Sequence, residues 1–109
     1  MTKCNKWEIW DAEVKFEDIE GKKKRPVLIV AEKEAYILSL KMTSHDARRK
    51  CEGEYEMMDW ERAGLKEKTV IRCSKKLELQ ESDLLIKRGR LQSVDITGVE
   101  AMLKYMKMR

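Results

Sequence analysis

The chain has 109 residues, 42% of them apolar and 40% charged, with a formal net charge of +4. That length and apolar share fit one modest core, so residues 1–109 are expected to form a single domain. The charge is far from that of a histone-like protein, but it is clustered at Lys22–Arg25, Arg48–Lys50 and Lys104–Arg109, which points towards an anionic partner.

In chain order, KWEIWDAEVKF alternates between faces. Glu8, Trp10, Ala12, Val14 and Phe16 make a mostly apolar side, which reads as a strand of period two. EDIEGKKK is a polar loop in which Gly21 supplies the turn. PVLIVA is a short, β-branched apolar run, expected as a strand buried on both faces. EKE is a tight connection, and YILSLKM alternates again, with Tyr36, Leu38, Leu40 and Met42 on one side. TSHDARRKCEGE reads as a loop. YEMMDWERAGL reads as a strand and one helical turn ending at Gly64. TVIRC and KLELQ read as two strands, and DLLIKRGRL as a short strand or turn. The last segment is helical: Ile96, Val99, Met102, Leu103 and Met106 recur at steps of three and four, Ser93 is placed to cap, and the basic tail suits the negative end of the helix. Short strands with one terminal helix predict a mainly β fold, a small barrel-like sheet sealed by that helix.

Cys4, Cys51 and Cys73 include no CxxC pair, and His45 is the single histidine, so no metal or other cofactor is expected and the thiols are read as reduced. MTKCNKWEIW has no apolar run of signal-peptide length, and nothing approaches the roughly 20 apolar residues of a membrane span. A cytoplasmic location is expected.

The sequence GKKKRPVLIV runs from the most basic stretch straight into the apparent core. Proline has no donor and belongs at the start of a strand or on an edge. It also holds the residue before it extended. Arg25 is therefore expected at the mouth of a strand, with Lys22, Lys23 and Lys24 in a mobile loop before it. A fixed guanidinium offers a planar fork to a phosphate, and lysines add diffuse attraction. If RPVLIVA and AYILSLKMT form a hairpin about Lys33, position 25 falls opposite roughly 40 or 41. Thr43, Ser44 and His45 then lie at the same end. Taken alone, each of these features also fits a solvated loop or a turn cap.

Together they carry a resemblance. IWDAEVKFEDIEGKKKRPVLIV, LSLKMTSHDARR, GEYEMMDWERAGL, TVIRC and GRLQSVDITGVEAML resemble, in order and over nearly the whole chain, the MazF/PemK family of bacterial toxins, the ribosome-independent mRNA interferases. The resemblance implies an SH3-like barrel with helices, a homodimer, and cleavage of single-stranded RNA without metal. It implies an antitoxin partner whose disordered acidic tail lies along the RNA groove. It matches the phosphate-stabilising arginine to Arg25 and the active-site threonine to Thr43, with Ser44 beside it. In VIRCS, Arg72 matches a catalytic arginine of one plasmid branch, while Ser74 stands where that branch has an acid. Lys24 stands where several relatives have a histidine.

The expected chemistry is attack of an RNA 2′-hydroxyl on the adjacent phosphorus. Arg25 and Arg72 would stabilise the phosphorane, and Thr43 and Ser44 would donate to its oxygens. His45 or Glu20 would move protons. Lys22, Lys23, Lys24, Arg48, Arg49 and Ser74 would bind the strand. Two alternatives share the fold: a non-catalytic RNA-binding barrel, which Lys24 and Ser74 favour, and a module that binds an acidic peptide.

Overall fold

The computed structural model describes residues 4–15, 21–44 and 53–107. Six strands and a helix follow one another: β1 (Glu8–Lys15), β2 (Lys22–Glu32), β3 (Ile37–Thr43), β4 (Glu54–Glu56), β5 (Val70–Leu79), β6 (Leu84–Arg90) and α1 (Ser93–Lys107). The strands form a single antiparallel sheet in the order β4-β5-β3-β2-β1-β6. The mainly β fold with a terminal helix is as expected, but the sheet does not close. Its edges are β4 and β6, and β4, with three residues, offers little edge on which to close.

β2 is the spine because its apolar run feeds both sides of the sheet. Leu28 packs on one side with Ile9, Leu40, Met42, Ile71 and Cys73, beneath Val99 of the helix. Val27 and Ile29 pack on the other with Trp10, Ala12, Val14, Ile37, Leu79 and Leu84. Alternation of side chains along an extended strand makes this division automatic. The same alternation sends Trp7 and Ile9, from the more polar face of the first strand, into the helix-side core. Lys33 N–H donates to the Tyr36 carbonyl at 2.8 Å and closes the tight connection to β3.

Three boundaries differ from expectation. Lys22–Lys24 belong to β2 and pair with Lys15, Val14 and Glu13 of β1. A run of charges reads as a loop, but an antiparallel partner satisfies its backbone and both faces here are open to water. Gly21, which precedes it, has a φ of 127° that favours glycine. TVIRC and KLELQ are one strand, because Leu40 pairs with Lys76 and the next residue, Lys41, pairs with Arg72. Cys73–Lys75 bulge out between those pairs, and a bulge bends a strand without ending it. Ser93 is the first helical residue and not the cap. The Gln92 carbonyl instead accepts the N–H groups of Asp95 and Ile96 at 3.0 and 2.9 Å.

The apolar stripe Ile96, Val99, Met102, Leu103 and Met106 packs on the helix-side core. The helix start is locked by Asp95, which is fully buried. Its carboxylate accepts the Tyr55 hydroxyl at 2.7 Å and the N–H groups of Met58 and Asp59 at 2.8 and 2.9 Å. Burial and that carboxylate push the Tyr55 pKa up. Gly98 permits the approach, since a Cβ there would meet the Tyr55 ring at 2.3 Å. Among the described residues, no helix is long and apolar enough to cross a membrane.

Candidate functional site

Pro26 lies inside β2, opposite Asp11 of β1, and not at the strand's start. Its physical effect shows on the other side of the strand. The β2–β3 ladder begins only at Val27, paired with Lys41, as expected next to a residue with no N–H to give. Lys22–Pro26 thus form an arm paired to β1 alone. Arg25 rides on that arm opposite Ala12, and it is exposed. Its side chain has no ion-pair or hydrogen-bond partner among the described residues.

The expected hairpin exists with a shifted register. Position 41 faces Val27, so position 25 does not face 40 or 41. Two residues further along the same register, position 25 comes opposite position 43. Partners across an antiparallel sheet share a face. Arg25 is in step with Val27, and Thr43, the last residue of β3, is in step with Lys41. Both therefore point to the face opposite α1. Ser44 follows Thr43 and is exposed.

Arg72 joins the same face from β5. It pairs with Lys41 on one side and with Glu54 of β4 on the other. One cross-sheet row thus reads Trp10, Val27, Lys41, Arg72, Glu54. The next row carries Ala12, Arg25, Thr43 and Val70. Strand spacing and rise put the Cα atoms of Arg25 and Arg72 about 12 Å apart, close enough for two long side chains to converge on one strand of nucleic acid. Arg72 Nε lies 3.2 Å from Glu54 Oε2.

Ser74 is exposed within the bulge, next to Gly53. Cys73 between them turns inward. Its thiol is fully buried in the helix-side core, and burial raises its pKa to about 11, so it stays neutral near pH 7. Lys22, Lys23 and Lys24 line the exposed arm, Lys22 within 3.9 Å of Glu13. His45, Arg48, Arg49 and Glu20 lie outside the described residues. No group of three metal-ligating side chains occurs among the described residues.

Arg25, Thr43 and Arg72, proposed from sequence, are thus gathered at one end of one face, with exposed Ser44 next to Thr43 in the chain. Lys41 and Glu54, which share the row with Arg72, were not singled out. Lys41 is in step with Thr43 along its strand and was legible on that ground. Glu54 is separated from Arg72 by sequence and by a loop, and no local spacing signals it.

An open antiparallel sheet with a C-terminal helix is a fold already known among solved structures. The toxin MazF-mt6 of Mycobacterium tuberculosis is similar in fold, with a TM-score of 0.69 at 18% identity over 90% of this chain and 93% of that one. An endoribonuclease from a mycobacterial species gives 0.72 at 14% identity over 96% and 91%. A mycobacterial endoribonuclease in complex with its cognate antitoxin gives 0.71 at 14% over 92% and 90%. No curated protein sequence gives a significant match. The model of the PemK-like, MazF-like toxins of type II toxin–antitoxin systems matches residues 5–106, and the chain belongs to that family.

Proposed function

We propose that this protein is a metal-independent endoribonuclease that cuts single-stranded RNA as the toxin of a toxin–antitoxin pair. The observation that carries the reading is the convergence of Arg25, Thr43 and Arg72 on one face, with Arg25 exposed and unpaired among the described residues. RNA contains its own nucleophile. The 2′-oxygen attacks the adjacent phosphorus, the 5′-oxygen leaves, and the protein must orient the strand, offset the added negative charge and move two protons. Arg25 and Arg72 stabilise the phosphorane, and Thr43 and Ser44 donate to its non-bridging oxygens. His45 or Glu20 carries protons. Lys22, Lys23 and Lys24 draw in the backbone, and Ser74, Arg48 and Arg49 add to its binding. The neutral thiol of Cys73 takes no part.

The same basic face suits a flexible acidic antitoxin segment, and a related fold has been solved with its cognate antitoxin. The working assembly is a homodimer in the cytoplasm. Light scattering at micromolar concentration should give twice the monomer mass, and a monomer throughout that range contradicts the assembly.

Incubation with a mixed-sequence RNA in EDTA tests the chemistry. The expected products carry a 5′-hydroxyl and a cyclic or 3′-phosphate. Strict magnesium dependence, or 3′-hydroxyl ends, overturns the mechanism.

A further inference from the structure

We infer that Glu54 is a positioning residue, the carboxylate that fixes the Arg72 guanidinium for a phosphate; the inference rests on the RNA-cleaving reading of the same site. Glu54 and Arg72 are directly paired across β4 and β5. Their side chains are 13% and 31% exposed, and Arg72 Nε is 3.2 Å from the carboxylate. Arg72 Nε is buried and makes no hydrogen bond among the described residues, so the 3.2 Å contact with the Glu54 carboxylate is an electrostatic hold.

Such a pair is a weak stability device. Desolvating two charges offsets much of their attraction. What a partly buried pair does well is restrict where a guanidinium can point. Engagement at Nε leaves the terminal amines of the fork to meet a phosphate side-on. Glu54 is well mounted for the task. Its neighbour Tyr55 donates to buried Asp95 at 2.7 Å, and two backbone N–H groups just beyond donate to the same carboxylate. The short edge strand is thereby tied to the helix, and a group that positions another must itself be held.

The assignment also accounts for Ser74. The bulge that carries it leaves Arg72 in regular register with Glu54, so a carboxylate reaches Arg72 from the neighbouring strand while none stands two residues along its own.

A double-mutant cycle tests this with Glu54→Gln, Glu54→Asp, Arg72→Ala and Glu54→Gln/Arg72→Ala, each checked for an unchanged melting temperature. Glu54→Gln should lower kcat about 10-fold with KM within about 2-fold, and in the Arg72→Ala background it should change kcat by less than about 2-fold. Glu54→Asp should retain more activity than Glu54→Gln. An unchanged kcat, or an equal loss in both backgrounds, overturns the inference. If the parent protein does not cleave RNA, the functional reading has failed, and the cycle is read instead by affinity for a fully 2′-O-methylated oligonucleotide. Loss of one negative charge alone strengthens binding equally in both backgrounds. Positioning predicts that Glu54→Gln is worse by about 3-fold or more when Arg72 is present. Equal shifts, or the opposite sign, refute it.

Discussion

Two regions of the sheet treat charge in opposite ways. Where β1 meets β6, each buried carboxylate has a cation: Glu8 lies 2.9 Å from Lys87 and Asp11 3.3 Å from Arg88, with both acids only 6% exposed at the side chain. Glu8 also accepts from the Asn5 N–H at 2.8 Å and the Trp10 indole at 3.1 Å. In the β2–β3–β5 cluster, Arg25 is exposed with no ion-pair or hydrogen-bond partner among the described residues, while Arg72 has Glu54 beside it. Matched charge on a buried acid holds strands together. The exposed, unmatched charge of Arg25 adds little to folding and is available to an anion.

The comparison is broken most sharply by substitution at Arg25. Removing one preorganised donor to a transition state costs about 100- to 1000-fold in rate, roughly 3 to 4 kcal/mol. Arg25→Ala and Arg25→Lys should both lose that much cleavage with no change in melting temperature, since lysine keeps the charge but not the fork. Arg25→Lys that cuts like the parent would reduce Arg25 to a surface charge.

The matched end should respond in stability and not in rate. Glu8→Gln should cost about 2 kcal/mol in denaturant unfolding, in line with hydrogen bonds to a charged group, and leave cleavage per folded molecule unchanged. Burial pushes the Glu8 pKa up, but the bonds from Lys87, Asn5 and Trp10 outweigh it and bring the value from its ordinary 4.5 down to about 2. A carboxyl depressed by folding contributes stability above its unfolded pKa and loses it as pH falls. Melting temperature should therefore drop between about pH 5 and pH 2, and Glu8→Gln should flatten that slope.

Lys23→Ala sits between the two regimes. It should weaken RNA binding modestly and reduce the salt slope by about 0.7 for one lost contact to a single strand, with kcat unchanged. The smallest effect is expected at Ser39. Its hydroxyl is fully buried with no hydrogen-bond partner among the described residues, so Ser39→Ala should be neutral or stabilise by up to about 1 kcal/mol. A clear loss of stability would reveal a partner.

What was legible in the sequence follows from what is local. PVLIVA announced a strand buried on both faces because its side chains alternate between two cores whatever covers them. The Arg25–Thr43 relation was legible because a tight hairpin fixes register, though only to within two residues. The lysines before Arg25 were misread because charge signals solvent exposure and says nothing about backbone pairing. TVIRC and KLELQ looked separate because a bulge of polar residues resembles a break. Asp95 and Glu54 stayed hidden for a common reason: their partners lie 36 to 40 residues away for Asp95, and on another strand for Glu54.

Pro26 has a mechanical consequence. Val27 and Leu28 are paired on both sides, to β1 and to β3, whereas residues 22–26 are paired along one side only. Arg25 is carried on a cantilever rooted in the buried run Val27–Ile29. The tip can deflect to follow a phosphate through the reaction while Leu28, three residues away, stays fixed. Amide hydrogen exchange should record that contrast within a single strand, fast in the arm and slow at the root.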